Sequence, residues 1–348
     1  MVSMMDCGVL KAVSSRRMET GSFELLSPDR ALSAVEQAYG IELDGTLESY
    51  PSYVNRVYGM RATDGARWVA KFYRPRRWTE EAILDEHRYL ADCAAEEIPV
   101  VPPVTAPDGR TLHAVEGRED GSSETLRFAL FRRSGGRTFE PESADDLLRL
   151  GSLLGRCHAV GARAEAPHRV RCAPVPTTAS YVEELLAEKL VHPGCVEELT
   201  EACGATLGLI SPRFAQAPVQ RIHGDCHRGN VIDRPGDGLA LIDFDDMMSG
   251  PPVQDLWLML PDHAERSGRE LASLLEGYEQ FHPFDRGTLA LIEPLRFMRM
   301  IYFLVWRARQ RNDYWFRGSF PDWGTEAFWI KETEDLKEQA RVVRAVLE

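Results

Sequence analysis

The densest run of polar functional groups in the chain is His223-Gly224-Asp225-Cys226-His227-Arg228-Gly229-Asn230, followed by Ile242-Asp243-Phe244-Asp245-Asp246. Between them, Arg234-Pro235-Gly236-Asp237-Gly238 is a turn-forming string flanked by apolar segments at 231–233 and 239–242, a pattern that predicts an antiparallel hairpin. A turn centred between Gly236 and Asp237 sets Asn230 opposite Asp243. Paired residues on one face carry β-carbons ~4.5–5.5 Å apart, so an amide oxygen and a carboxylate would converge on one point. Hard oxygen ligands of this kind suit Mg²⁺, which fills its other positions with water and substrate phosphate. Asp225, in a glycine-flanked loop before Asn230, would stand beside such an ion as the candidate base. A lone aspartate in a loop is usually a solvated turn residue. Five polar groups in one hairpin unit argue for chemistry.

A second constellation lies upstream. In Trp68-Val69-Ala70-Lys71-Phe72-Tyr73 the lysine sits inside an apolar strand, where an ammonium group needs a partner. The following segment places Glu86 on the stripe defined by Ile83, Leu90 and Cys93, so a carboxylate faces inward. Such a pair can aim the ammonium group at phosphate oxygens. The bland alternative is a snorkelling Lys71 with Glu86 at the edge of the helical face.

These residues need elements to hold them. Residues 28–39 read as an amphipathic helix behind Ser27 and Pro28, 53–60 and 68–73 as a hairpin through Thr63-Asp64-Gly65, and the tract after Thr79 as a helix ending before Pro99. Strands are expected near 111–115 and 126–131, with an inter-lobe connection at 132–136. Downstream, helices are expected over 144–158, 180–190, 198–210, 254–260, 270–281 and 289–310, and 166–176 reads as a surface loop. The fold class is α+β, with a β-rich lobe over residues 23–134, a mainly helical lobe over 135–348, and residues 1–22 as a disordered tail or misplaced start.

At 348 residues, 44% hydrophobic and 27% charged, the chain is long enough for two compact units. Its 41 basic and 54 acidic residues give a net charge of −13, which argues against nucleic acid or an anionic membrane as partner. Seven cysteines without a CxxC pair fit reduced thiols and a cytoplasmic location. No apolar run approaches the ~20 residues of a membrane helix.

The ordered set Lys71, Glu86, HGDCHRGN at 223–230 and IDFDD at 242–246 resembles the aminoglycoside phosphotransferase and choline kinase branch of the protein-kinase-like fold. Within that branch, SYVNRVY at 52–58, VAKFYRPRRWT at 69–79, GGRTFE at 135–140, GPPVQDLW at 250–257 and IEPLRFMRMIY at 292–302 are similar to bacterial stress-response serine/threonine protein kinases, across about residues 23–342. The resemblance implies a bilobal protein-kinase-like fold with ATP between the lobes and transfer of its γ-phosphoryl group to a serine or threonine of a protein. It implies Asp225 as catalytic aspartate, Asn230 and Asp243 as Mg²⁺ ligands, Lys71 with Glu86 as the phosphate-positioning pair and Ser52 against ATP. It gives Asp255 a structural role at the catalytic-loop backbone. Strand alternation would place Asp245 on the same face as Asp243, near a second ion. The chain lacks a GxGxxG over the phosphates, and only eight residues separate Asp246 from Asp255, too few for a long activation segment. A monomer is expected. The rivals are a small-molecule kinase for an aminoglycoside, choline or other amino alcohol, for which the acidic C-lobe would suit a cationic acceptor, a metal-dependent hydrolase using His223, Asp225 and His227, and a pseudokinase acting as a binding module.

Overall fold

The computed structural model describes residues 23, 25–119, 122–234 and 236–348, so the tail expected over 1–22 lies outside the described residues. Helix α1 (Pro28–Tyr39) starts where the Ser27 hydroxyl accepts the Arg30 N–H and ends at Gly40, which takes φ 64°. It buries Ala31, Val35 and Tyr39 in a core shared with Phe72, Phe128 and Leu130. Beneath it, β1 (Leu43–Tyr50), β2 (Arg56–Ala62), β3 (Arg67–Phe72), β4 (His113–Glu119) and β5 (Ser122–Arg132) form an antiparallel sheet in the order β1-β2-β3-β5-β4. Lys71 is paired with Val57 on one side and Ala129 on the other, so its backbone is fixed in the middle of the sheet. Strand β1 was not expected. It is an edge strand with only Leu43 buried, and so shows no alternation for a pattern to reveal.

Helix α2 (Glu80–Ala95) follows the predicted start: the Thr79 hydroxyl accepts the Ala82 N–H, with Glu80 and Glu81 in the first turn. Its buried face carries Ile83, Glu86, Tyr89, Leu90 and Cys93.

The second lobe contains β6 (Arg137–Thr138), α3 (Ala144–Gly161), α4 (Ala179–Ala187), α5 (Val196–Gln216), β7 (Gln220–Ile222), β8 (Val231–Arg234), β9 (Gly238–Leu241), β10 (Met248–Gly250), α6 (Val253–Trp257), α7 (Gly268–Tyr278), α8 (Ile292–Gln310), α9 (Phe316–Ser319) and α10 (Glu326–Leu347). The molecule is therefore a bilobal α+β fold with a five-stranded sheet in one lobe and mainly helices in the other. Leu150, Leu154, Leu274, Phe297, Ile301 and Trp329 belong to one continuous core. Helix α10 escaped the sequence pattern because its buried face mixes Trp329, Leu336 and Val343 with Thr333 and Gln339.

Two expectations are corrected here. The β8–β9 hairpin pairs Val231 with Leu241 and Arg234 with Gly238, so the turn is centred on Gly236 and the register is one residue off the predicted one. The segment 166–176 is not a surface loop throughout: Ala166 and Arg169 are buried, and Arg171 bridges to Ser249. Among the described residues no helix is long and apolar enough to cross a membrane.

Candidate active site

Lys71 is the centre of the charge network, its side chain only 9% exposed. Its Nζ lies 2.9 Å from Asp245 Oδ1, 3.3 Å from Asp243 Oδ1 and 3.6 Å from Glu86 Oε1. Burial alone would lower the Lys71 pKa, but the carboxylates of Asp245, Glu86 and Asp243 outweigh it and hold it well above its ordinary value. The same burial pushes the Glu86 carboxyl up to about 7 against the pull of Lys71. Glu86 Oε2 is buried without a hydrogen bond, with Arg169 Nη1 3.9 Å away. The pair read from helical periodicity exists, and Asp245 is the tighter partner.

Asp245 does not share a strand face with Asp243. Asp243 takes a left-handed φ of 57°, uncommon for a residue with a side chain, and residues 244–246 continue as a single 3₁₀ turn. That reversal sends Asp245 into the interior, where Lys71 and Arg77 override burial and lower its pKa. It leaves the Asp243 side chain 56% exposed at the cleft. Arg77 spans Asp245 (3.4 Å) and Asp246 (2.6 Å). Arg169 reaches in from the segment before α4 and donates to the carbonyls of Met247, Asp245 and Ala82.

The loop bearing Asp225 is held from beneath. Asp255, fully buried, accepts the His223 N–H (2.7 Å) and the Gly224 N–H (2.8 Å) and meets His158 Nε2 at 2.9 Å. This is the backbone role that the resemblance implied. Gly224 takes φ 83°, and a Cβ there would collide with the Asp246 carbonyl oxygen, so the close approach of the two loops requires glycine. Asp225 itself faces Arg299 Nη2 at 2.5 Å and His227 Nε2 at 3.5 Å. Burial would raise its pKa, but the Arg299 guanidinium, helped by His227, holds it well below the usual carboxylate range. Such a group is a fixed negative hydrogen-bond acceptor that can orient a hydroxyl and take its proton late.

Asn230 approaches by a different route from the one expected. In the observed register its carbonyl accepts the Ile242 N–H at 3.0 Å, so Asp243 is beyond the pairing and reaches the cleft through its left-handed turn. The Asn230 Nδ2 donates to the Asp225 carbonyl at 2.9 Å, which reserves its side-chain oxygen as the ligand end. One amide oxygen and one half-exposed carboxylate fit a Mg²⁺ ion that keeps water and phosphate as its other ligands. No cage of three or more His, Cys, Asp or Glu side chains occurs among the described residues. His223 does not supply a transition-metal ligand: Nδ1 accepts the Asp225 N–H and Nε2 meets the Ile242 carbonyl. Ser52 lies in the β1–β2 turn, where its hydroxyl accepts the Asn55 N–H at 3.2 Å, and no hydrogen bond or ion pair joins it to the Lys71 cluster.

Three functional cations, Arg77, Arg169 and Arg299, were missed by sequence reasoning. Arg299 carries the signal that found Glu86: it is a charge on the helical face between Leu295 and Tyr302 of α8. Arg169 lies in a Pro-containing segment with no periodicity to expose it.

Residues 46–292 match the family described as phosphotransferase enzymes. The chain is 36% identical over 332 residues to stress response kinase A of Escherichia coli strain K12, covering 93% of this chain and 95% of that protein. It is 33% identical over 327 residues to the serine/threonine protein kinase RdoA of Salmonella typhimurium, covering 92% and 95%. Its fold is similar to that of amicoumacin kinase, solved in complex with AMP-PNP, Ca²⁺ and Ami, with a TM-score of 0.72, 16% identity, and 90% and 94% of the two chains covered.

Proposed function

From the premise that the chain belongs to the phosphotransferase enzyme family, we propose that it is a cytoplasmic, ATP-dependent serine/threonine protein kinase of a stress response. The observation that carries the reading is the Lys71 node, one ammonium group set among Glu86, Asp243 and Asp245 at 2.9–3.6 Å, facing a loop that presents Asp225 and Asn230. Protein specificity rests on the relatives named as stress response and serine/threonine kinases over more than 90% of the chain.

The N-lobe, residues 23–134, would present Lys71 to the phosphates and Ser52, in the β1–β2 turn, to the nucleotide. The C-lobe, residues 135–348, contributes Asp225, Asn230 and Asp243. Asn230 and Asp243 would hold Mg²⁺, which would supply neutralisation of phosphate charge. Glu86 and Asp245 fix the direction of the Lys71 ammonium group. Asp225, kept ionised by Arg299, aligns the acceptor hydroxyl and receives its proton as the acceptor oxygen bonds to the γ-phosphorus and the bond from that phosphorus to the bridging oxygen breaks, releasing ADP. Most of the catalysis comes from positioning and charge, as phosphoryl transfer requires.

The test is incubation of the purified chain with γ-labelled ATP, Mg²⁺ and protein acceptors, followed by identification of the labelled residue. Phosphoserine or phosphothreonine supports the reading, and label confined to small molecules overturns its protein part. A small-molecule kinase is the second reading, favoured by a cavity of about 640 Å³ beside Asp225, a size suited to a compact ligand.

A further inference from the structure

That cavity has a chemistry of its own. It is bounded by the segment between β3 and α2, by one face of α8 and by Gly224, the neighbour of Asp225. None of Ser52, Lys71, Glu86, Asn230 or Asp243 lines it, so it is separate from the residues assigned to the nucleotide and its ion. It meets the reaction centre at Arg299, which lines it and touches Asp225 at 2.5 Å.

The lining carries five guanidinium groups, Arg74, Arg76, Arg77, Arg299 and Arg309, against one carboxylate, Asp246. Four of these arginines are paired with carboxylates outside the lining, Arg299 with Asp225 and Arg76 with Glu124, while Arg74 is gripped by Asp313 at 2.7 and 2.8 Å and Arg309 by Glu184 at 2.7 and 2.9 Å. A guanidinium has five N–H donors, so a two-bond grip fixes its plane and leaves donors for a ligand. Arg76 is different: its side chain is 91% exposed, it pairs among the described residues with Glu124 at 3.6 Å, and its backbone takes φ 63°. A left-handed arginine between Pro75 and Arg77 at the rim is a backbone cost that a binding role would explain. Trp78, Tyr181 and Trp306 line the same space and offer apolar contact.

We propose that this cavity is the acceptor site and that it selects an acceptor whose hydroxyl stands beside an anionic group, a carboxylate or a phosphate. The proposal rests on the phosphotransferase reading and deepens it. It runs against what the net charge of −13 suggests, because the attraction comes from guanidinium N–H donors left over by their ion pairs at the cavity and not from the charge of the whole chain. The anion would dock on Arg76, Arg309 and Arg74, while Arg299 and Asp225 receive the hydroxyl end. Arginine forks recognise carboxylate and phosphate through paired hydrogen bonds, which supplies the specificity.

The experiment uses the full chain with Mg-ATP and two sets of acceptors. One set is a serine peptide flanked by glutamates, the same peptide with lysines, and the same with alanines. The other is D-glycerate against aminoethanol, an anionic and a cationic small hydroxyl compound. Phosphoryl transfer is followed with γ-labelled ATP, and peptide binding is read separately by fluorescence anisotropy. The expected result is kcat/KM at least tenfold higher for the glutamate peptide than for the lysine peptide, with the same order in binding. Arg76→Ala and Arg309→Gln should each raise KM for the anionic acceptor about five- to tenfold, with a smaller effect on kcat, and shrink the discrimination. Thermal melts establish that both variants are folded, and Arg76, being exposed, carries the test if Arg309→Gln is not. Preference for the lysine peptide or aminoethanol, or discrimination unchanged in Arg76→Ala, overturns the proposal. Transfer to D-glycerate but to no peptide supports the anionic site and overturns the protein-kinase reading. Tighter binding of the glutamate peptide without turnover supports the site and counts against the kinase reading alone.

Discussion

Replacing Glu86 tests whether the Lys71 node works as a unit. With an effective dielectric of ~20, a pair at 3.6 Å has a direct Coulomb energy of about 5 kcal/mol, and one at 2.9 Å about 6 kcal/mol. Neither figure is a net contribution, because three carboxylates share one ammonium and all but Asp243 are buried. In Glu86→Gln, Lys71 keeps Asp245 and Asp243, so the ammonium stays charged but loses one of its two buried anchors. The coupling between Lys71→Ala and Glu86→Gln in kcat/KM for ATP should therefore fall at ~1–3 kcal/mol, about 5- to 150-fold short of additivity. The cycle between Lys71 and Asp245→Asn should couple at least as strongly, since that contact is shorter. The assay is initial-rate kinetics at saturating acceptor, with thermal melts on every variant. A Lys71–Glu86 coupling below ~0.5 kcal/mol beside a strong Lys71–Asp245 coupling would show that Asp245 alone orients the lysine and would refute the shared role.

Other consequences follow from the same geometry. Because burial pushes the Glu86 carboxyl up to about 7, kcat/KM for ATP should be full above that pH and decline as pH falls through it, with Glu86→Gln giving a flatter profile. The folded-state pKa is raised from 4.5, so the folded chain holds an extra proton between pH 4.5 and 7 and loses stability as pH rises through that window; chemical denaturation of the parent and of Glu86→Gln should differ in this slope. Asp225→Asn should still bind Mg-ATP by calorimetry while transfer falls ~10²–10⁴-fold. Asp243→Ala and Asn230→Ala should each raise the Mg²⁺ concentration needed for half-maximal rate, Asp243 more so; superimposable titrations would remove both from the ion. Arg169→Met leaves Glu86 and Asp245 short of a buried cation and should lower stability by ~3–5 kcal/mol in urea titration.

Local rules located the parts whose cause is local. Ser27 and Thr79 accept the N–H three residues on and start α1 and α2 where their side chains indicate, and the Glu86 position follows from the helical repeat that buries Ile83 and Leu90. The hairpin was legible and its register was not, because both Gly236 and Gly238 take positive φ and the turn string does not say which residue is its centre. A one-residue slip in a strand exchanges its faces. Asp243 still reaches the cleft only because the chain leaves the ladder there through a left-handed residue, which no pairing rule anticipates.

The cations around the site show the other limit. Lys71 was found because a charge in an apolar strand violates a local pattern, whereas Arg77 and Arg169 violate none: one lies in a turn and the other in an irregular segment. What makes them necessary is the sum of charge that folding concentrates. Glu86, Asp243, Asp245 and Asp246 come from two distant stretches of chain, and Lys71 pairs with three of them but not with Asp246. Arg77 takes Asp246 and shares Asp245, while Arg169 caps the carbonyls of the 3₁₀ turn and faces the unpaired oxygen of Glu86. A buried carboxylate group of this size stays ionised only with that neutralisation. Lys71 is thereby spared from serving as the sole counter-ion and can present its charge to a phosphate.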